Sequence, residues 1–328
     1  MTTRLDTATE ARPASLTRPF FRPRRLAHVN FWVADVEKVA AFYGAVAGIE
    51  EAYRRPGIKG VFLSNGNTYH DFAHMDVSSP IGVGKMPGLH HFAFELENEV
   101  DLVDGYKRAI AAGYEFIVTM TADVAHSVYG ADPDGNGYEV YADVEKDWRA
   151  MRSGVITKIK PGWKPGDTPP VAEPCYPVNP PIRRIESAAF HMRRTSHVVL
   201  VANDYEGAFR TYTDLVGLTP LFGGIDAAFC VLGGTLGEKS LSIFRARPGR
   251  KAGLHHSGIE LWDEDDLERG KRRLAAAGIP IEIEPEHPMR RSIFVKDPCG
   301  QRLQFYVDRD TRIDLIAGIE EEVALYVL

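Results

Sequence analysis

Apolar and polar residues alternate along several short stretches of this chain, as they do in strands that bury one face. In "HVNFWV", residues 28–33, the apolar Val and Phe residues alternate with His28, Asn30 and Trp32. The stretch "HFAFEL", residues 91–96, repeats this alternation. In "GYEVYAD", Glu139 and a tyrosine fall on one face. These stretches predict three strands that each present chemically reactive side chains on the side away from the core.

A helical pattern follows each of the first two strands. Asp35 is the expected N-cap of the first helix, and Gly48 ends it. The second helix, around residues 100–110, carries Val100, Val103 and Ile110 at helical spacing and ends before a glycine. Short strand-like segments such as "GVFLSN" and "YEVYAD" come after the helices. The repeating unit is therefore a βαβββ module.

The chain also repeats itself on a longer scale. "GLHHFAFEL" and "GLHHSGIEL" begin at Gly88 and Gly253, 165 residues apart. "DPDGNGYEVYAD" and "DPCGQRLQFYVD" begin at Asp132 and Asp297, also 165 residues apart. A third pair, "AHVNFWVAD" and "SHVVLVAND", keeps the same order at an offset of 169. Matched order and spacing predict two homologous halves, and hence an α+β fold of four βαβββ modules paired into two domains.

The repeats and one proline-rich stretch set the expected domain boundaries. They are a flexible arm at 1–25, a metal-bearing domain at 26–145, a linker at 146–194, a structural domain at 195–310 and a tail at 311–328. Eight prolines in "IKPGWKPGDTPPVAEPCYPVNPPIRR" exclude a helix or a central strand there. The linker is expected to be either a surface tether or a lid that places Trp163 or Tyr176 over a pocket.

Composition narrows the function classes. The 328 residues carry a net charge of −6 without a basic cluster, which argues against a nucleic-acid partner. No apolar run approaches the roughly 18 residues that a membrane span needs. The first 25 residues lack the apolar segment of a secretory signal, and three scattered cysteines form no disulfide framework. We therefore expect a cytoplasmic protein.

Two histidines and one carboxylate are predicted to converge. His28 and His91 each lie at the start of the first strand of a module, and Glu139 lies in the last strand of the second module. If the modules pair about a pseudo-two-fold axis, their first strands are adjacent. Two imidazoles and one carboxylate form a facial triad, which leaves open positions on a divalent ion for substrate.

The segment "VYGADPDGNGYE", residues 128–139, resembles the end of the signature of type I extradiol ring-cleaving dioxygenases, members of the vicinal oxygen chelate superfamily. The resemblance covers 26–145 and 195–310. It implies that His28, His91 and Glu139 bind Fe(II), or Mn(II) in the same geometry, and that Tyr129 lies near the bound oxygens.

The same resemblance places a catalytic histidine in "NGNTYHDFAH", residues 65–74, where His70 matches it. An imidazole titrating near neutrality suits removal and return of the protons of the diol. Asp71 is expected to be a solvated carboxylate. His74 is expected to orient His70, to line the pocket, or to lie at the surface at the end of the strand. His126 lies closer to Tyr129 than the signature histidine does, and it is expected to reach the substrate.

The second half keeps two histidines of the triad but changes three other positions. The retained residues are His197 and His256, and the changed ones are Gln304 for Glu139, Ser240 for His70 and Phe294 for Tyr129. The first half is therefore expected to be the working one. A residual site of two histidines and a glutamine, as in glyoxalase-type relatives, remains an alternative.

The resemblance implies O₂-dependent cleavage of a catechol-type diol, in aromatic catabolism, by an enzyme that is expected to be a homo-oligomer. The alternative is a metal-dependent isomerase, epimerase or lyase of the same superfamily acting on a vicinal diol or hydroxyketone. A third possibility is a metal-free sequestering protein of the drug-resistance type, which the complete triad disfavours.

Overall fold

The computed structural model describes residues 18–158 and 162–328. Most of the predicted arm at 1–25 lies outside these residues. Within its described part, Phe20 and Phe21 are buried. Their backbone nitrogens donate to the carbonyls of Asp214 and Leu215 in the second half, at 3.3 and 3.2 Å. This short stretch therefore connects both halves of the protein.

The first half contains two modules of one strand, one helix and three strands. The first module comprises β1 (Arg25–Val33), α1 (Val36–Ala47), β2 (Glu50–Arg55), a 3₁₀ turn (Pro56–Ile58), β3 (Gly60–Ser64) and β4 (Phe72–Asp76). The second comprises β5 (Gly88–Glu95), α2 (Glu99–Ala111), β6 (Val118–Thr121), β7 (Ala125–Ala131) and β8 (Gly137–Asp143). A short helix α3 (Trp148–Met151) and strand β9 (Gly154–Val155) follow.

The second half repeats this plan. Its first module comprises β10 (Met192–Ala202), α4 (Tyr205–Arg210), a π-helical segment (Thr211–Leu215), β11 (Thr219–Phe222), β12 (Phe229–Gly233) and β13 (Lys239–Arg245). Its second comprises β14 (Gly253–Leu261), α5 (Glu264–Ala276), β15 (Glu286–His287), β16 (Arg290–Lys296) and β17 (Arg302–Asp308). The tail adds a 3₁₀ helix (Ile313–Gly318) and α6 (Glu321–Val327).

Each half forms one mixed sheet in which the two modules join through their first strands. The order is β6-β7-β8-β5-β1-β4-β3-β2-β9 in the first sheet and β11-β12-β13-β10-β14-β17-β16-β15 in the second. β1 pairs antiparallel with β5, and β10 pairs in the same way with β14. The four βαβββ modules and the pairing of their first strands are confirmed.

The first two helices form where the sequence predicts them. The side chain of Asp35 caps α1 by accepting from the backbone of Glu37 and Lys38, and Gly48 ends it at φ 72°. The predicted apolar face of α2 is partly wrong, because Val100 and Ile110 are exposed. The buried face instead includes Leu102, Val103, Gly105 and Ala109.

Gly105 explains this shift of the buried face. A Cβ atom at this position would lie 2.4 Å from Cδ1 of Phe21. The glycine therefore lets the arm pack directly on the helix backbone. The contact involves a residue far away in the sequence, and apolar spacing within the helix cannot reveal it.

The repeated Asp-Pro motif joins the two halves. Asp132 shapes its own turn by accepting from the backbone of Asp134 and Asn136, and its second oxygen accepts from the hydroxyl of Tyr212 at 3.1 Å. In the other direction, the Tyr43 hydroxyl donates to Asp297 at 3.5 Å. The two contacts are related by the internal repeat, so this motif has a structural use besides its place in the signature.

The predicted linker, residues 146–194, contains regular secondary structure at both of its ends. β9 pairs parallel with β2 at the sheet edge, and β10 begins three residues before the predicted boundary at 195. Between 162 and 191 the described chain forms no helix and no named strand, as its prolines predict. Among the described residues, no helix is long and apolar enough to cross a membrane.

Candidate metal centre

The strand register places three ligand-type residues around one small side chain. His28 on β1 lies opposite Ala93 on β5, and Ala93 lies beside Glu139 on β8. His91 lies two residues before Ala93 on the same face of β5. Because Ala93 has only a methyl group, the longer side chains of His28 and Glu139 meet above it. Strand pairing and the pleat thus bring the three residues together.

The donor atoms suit a divalent ion. Glu139 Oε2 lies 3.0 Å from His28 Nε2 and 3.0 Å from His91 Nε2. Two donors about 2.1 Å from an ion and at right angles to each other would be separated by about 3.0 Å. The ligand atoms of the three buried residues all lie within 4.8 Å of one another. Two imidazoles and one carboxylate are a ligand set for Fe(II) and Mn(II).

Electrostatics keep the carboxylate ionised. Burial by itself would raise the pKa of Glu139, but hydrogen bonds from His28 and His91 hold this pKa well below its ordinary value. Burial, with the neighbouring charge of Glu139, raises the pKa of Tyr129 well above 10.0. Tyr129 therefore remains a neutral phenol, and its ring lies edge-on to His91 at a centroid distance of 5.3 Å.

Two neighbouring residues contact the ring nitrogens of His91. The Nδ2 atom of Asn30 lies 3.0 Å from its Nε2, and His90 contacts its Nδ1. The His90 ring packs edge-on against Trp32, with centroids 4.7 Å apart. Asn30 shares a face of β1 with His28, so the alternation of strand faces alone indicates that Asn30 lies on the side of the ligand set.

His70 lies directly beside this group. Its ring centroid is 4.0 Å from that of His28, and the side chain is 2% exposed. The hydroxyl of Tyr53 on β2 lies 3.4 Å from His70 Nδ1 and fixes the ring. No motif in the sequence indicates Tyr53, because it lies on β2, outside the segments that carry the motifs.

Two predictions for the residues after His70 were wrong. Asp71 is fully buried and accepts from the backbone of Asn65 at 3.1 Å. Burial raises its pKa to about 6. His74 neither lies at the surface nor lines the pocket, because it is fully buried between Phe31 and Tyr43 on the helix side of the sheet. β4 begins only at Phe72, so the bend before it interrupts the alternation between residues 70 and 74.

A cavity of about 630 Å³ opens on the ligand set. The polar residues that line it include Asn30, His70, His91, Tyr129 and Glu139. Its apolar walls come from aromatic and aliphatic side chains, among them Trp32, Ile58, Phe62, Met75, Ile81, Met86, Leu89, Ile117, Val118 and Met120. The cavity therefore combines one polar end with an apolar body of a size that suits a substituted aromatic ring.

The structure does not bring His126 to this cavity. His126 lies on the opposite face of β7 from Tyr129, where its Nδ1 pairs with Glu99 Oε1 at 2.6 Å. Its ring stacks on Trp163 at a centroid distance of 4.4 Å. Tyr176 instead contacts Arg24 and Glu97. Neither aromatic residue of the predicted lid is among the described residues that line the cavity.

The equivalent position in the second half contains an arginine. His197, Gly258 and Gln304 repeat the row of His28, Ala93 and Glu139 across three strands. Arg290 Nη1 donates to Gln304 Oε1 at 3.1 Å and lies 3.5 Å from His197 Nε2. A fixed guanidinium thus occupies the place where the first half has its ligand-lined space, and it uses the oxygen that a metal ion would need.

Further contacts close the second-half position. Gln304 Nε2 donates to the carbonyl of Tyr326 on α6 at 3.0 Å. Arg290 is held by a bidentate pair with Asp308 and lies over the ring of Tyr306. The ligand-type group found among the described residues is the one in the first half. These contacts weigh against the residual His, His, Gln site.

Known proteins resemble this chain in sequence. A catechol-2,3-dioxygenase of Bacillus subtilis (strain 168) is 30% identical over 233 residues, which cover 65% of this chain and 72% of that protein. The human mitochondrial methylmalonyl-CoA epimerase is 39% identical over 83 residues. This match spans 23% of the chain and about half (47%) of the epimerase.

Solved structures share the fold. The 2,3-dioxygenase LapB of Pseudomonas sp. KL28 superposes with a TM-score of 0.64 at 16% identity, covering 88% of this chain and 93% of that one. The Mn(II)-bound glyoxalase of Novosphingobium aromaticivorans gives 0.62 at 17% identity, covering 88% and 83%. The sequence profile of one superfamily matches residues 25–140 and 194–305, which correspond to the two halves. The chain belongs to the Glyoxalase/Bleomycin resistance protein/Dioxygenase superfamily.

Proposed function

We propose that this protein is an Fe(II)-dependent extradiol dioxygenase that cleaves a catechol-type aromatic diol with O₂. The observation that carries the proposal is that His70 and Tyr129 line the same cavity as His91 and Glu139, two members of the ligand set. The similarity to a catechol-2,3-dioxygenase over most of both chains supports it. The homologous halves and their shared fold are consistent with it.

In this proposal His28, His91 and Glu139 hold the ion. An ion held by these residues would supply open positions for both diol oxygens and a path for electrons from the ring to O₂. One carboxylate and two neutral imidazoles leave a net single positive charge on such a centre, which favours an anionic, chelating ligand. The apolar walls of the cavity exclude water and accept the ring.

His70 is the proposed acid and base. A diol must lose a proton on binding, and a proton must return to an oxygen atom before the ring opens. The His70 ring centroid lies 4.0 Å from that of His28, so this imidazole is adjacent to one of the residues that would hold the ion. The neutral hydroxyl of Tyr129 is the proposed hydrogen-bond donor to the bound oxygens. His126 is left out of this pair because of its position on the other face of β7.

The test is oxygen uptake by anaerobically Fe(II)-loaded protein with a panel of catechols, together with the visible absorbance of the product. We expect stoichiometric uptake with a yellow product. Glu139→Gln should abolish it, and His256→Ala should retain it, because the second half is not the working one. A fully metallated, folded protein that takes up no oxygen with any catechol would refute the proposal.

The second candidate is a metal-dependent epimerase or isomerase. Similarity to the methylmalonyl-CoA epimerase favours it, although this match covers about a quarter of the chain. Here the ion would act as a Lewis acid toward a vicinal oxygen pair, without O₂. Redox-neutral turnover of diols or hydroxyketones by Mn(II)-, Ni(II)- or Zn(II)-loaded protein, in the absence of oxygen uptake, would select this candidate.

A further inference from the structure

An arginine that neither motif nor repeat singled out faces the cavity. Arg55 is the last residue of β2 and stands two positions after Tyr53, so both side chains leave the strand on the same face. Tyr53 reaches His70 on that face, and Arg55 lines the cavity. The Arg55 guanidinium donates to the carbonyl of Lys158 at 3.1 Å.

Arg55 has a charge that the described residues do not neutralise. In residues 18–158 and 162–328, no carboxylate oxygen lies within 4.0 Å of its guanidinium nitrogens. The nearby acid Asp123 already pairs with Arg152 at 3.4 Å and with Lys158 at 2.7 Å. Partial burial and the charge of Arg152 lower the pKa of Arg55 from its ordinary value. The charges of Tyr53 and Asp123 act in the opposite direction and offset these effects only in part.

Its neighbour Arg54 provides the contrast. Arg54 forms ion pairs with both Glu37 and Glu51 and does not belong to the residues that line the cavity. The two arginines are adjacent in sequence and similar in chemistry. Arg54 forms ion pairs outside the cavity, whereas Arg55 lines the cavity and forms no ion pair with a described carboxylate.

The chemistry of the proposed centre does not use the charge of Arg55. A divalent ion, the carboxylate of Glu139 and a singly deprotonated diol together sum to zero. Glu139 is the one acidic side chain among the described residues that line the cavity, whereas Arg55 and Lys85 are both cationic there. A neutral substrate would leave Arg55 uncompensated, and an anionic substituent would neutralise it.

Resting on the proposed function, we propose that Arg55 binds a carboxylate on the ring substituent of the diol, so that the substrates are catechols with a carboxylated side chain. A guanidinium and a carboxylate match as a planar, bidentate pair. Partial exclusion of water at this site strengthens the pair relative to one on the open surface. The apolar walls accept the ring and the methylene groups between it and the carboxylate.

The experiment compares matched ligands in matched variants. The ligands are catechols with a carboxylate on zero to three methylene groups, each with its uncharged amide. Dissociation constants are measured by anaerobic calorimetry on Fe(II)-loaded protein, and kcat and KM by oxygen uptake. The variants are Arg55→Gln, Arg55→Lys, which keeps the charge without the bidentate geometry, and Arg54→Gln as the control.

We expect the wild type to bind the best carboxylate about 10- to 100-fold more tightly than its amide. Arg55→Gln should remove this preference by raising Kd and KM for the carboxylates far more than for the amides. Arg55→Lys should retain part of the preference, and Arg54→Gln should retain all of it. No preference in the wild type, or an equal loss for acid and amide in Arg55→Gln, would overturn the inference.

The outcomes separate this inference from the proposed function. If amides and acids are both cleaved without discrimination, the dioxygenase proposal stands and the role of Arg55 fails. If no catechol is cleaved but the carboxylates still bind in an Arg55-dependent way, the anion site stands and the proposed reaction fails.

Discussion

Replacing His74 tests the electrostatics of the first-half core. This residue is fully buried on β4, and its ring packs edge-on against that of Tyr43 at a centroid distance of 4.5 Å. Neither ring nitrogen has a hydrogen-bond partner among the described residues. Burial lowers the pKa of His74 from 6.5 to about 3. The substitution His74→Leu removes both the unsatisfied nitrogens and the titration.

The expected effect depends on pH in a definite direction. The folded protein keeps His74 neutral until the pH falls to about 3, whereas the unfolded chain protonates it near 6.5. Between these values the unfolded state binds one more proton, so the free energy of unfolding falls as the pH is lowered. At pH 5 this single group costs about 2 kcal/mol relative to pH 8, from 1.36 kcal/mol per pH unit.

The assay is denaturant unfolding of metal-free protein in EDTA at pH 8, 7, 6 and 5. The difference in stability between His74→Leu and wild type should grow by about 2 kcal/mol from pH 8 to pH 5. His74→Gln is the matched control, because it keeps a buried polar group but cannot titrate. It should be less stable than His74→Leu at every pH and gain the same pH-dependent increment over wild type. A difference that stays constant with pH would refute the reasoning.

Three further predictions concern the site and the contact between the arm and the helix. Ala93→Leu fills the space in which His28 and Glu139 meet, and it should weaken Fe(II) or Mn(II) binding about 100-fold in a metal titration without unfolding the protein. Arg290→Ala with Gln304→Glu copies the first-half residues into the second half, and it should raise the metal content measured by elemental analysis from one to two ions per chain. Arg290→Lys alone should leave it at one. Gly105→Ala should lower stability by about 1–3 kcal/mol in thermal unfolding because the new methyl group meets Phe21. Gly57→Ala is the control, since no atom lies within 4 Å of its added Cβ.

The convergence of His28, His91 and Glu139 could be predicted because it follows from two regular features. A strand alternates its faces every residue, and a repeat predicts which strands are equivalent. Pseudo-symmetry then makes the first strands neighbours, and the confirmed β1–β5 pairing brings the histidines together. Their roles as ligands remain predictions, although their positions are those that the pattern requires.

The same alternation failed after the bend at Asp71. Alternation predicts the face of a side chain only while the strand is continuous, and here the chain bends just before Phe72. His74 therefore faces α1, and His70 faces the cavity. Tyr53 and Arg55 were missed for another reason. Their importance comes from what they approach across the sheet, and neither belongs to a recognisable motif.

Arg290 shows what comparison of the repeats could have revealed. Its counterpart 165 residues earlier is Ala125, a buried residue with only a methyl group. The exchange of Glu139 for Gln304 alone leaves a neutral set of two imidazoles and one amide. The exchange of Ala125 for Arg290 then supplies a permanent cation, and Asp308 supplies its counter-charge. A guanidinium needs no loading and cannot be removed by a chelator. The second half thereby holds a positive charge beside His197 without the open coordination positions that a metal-dependent reaction needs.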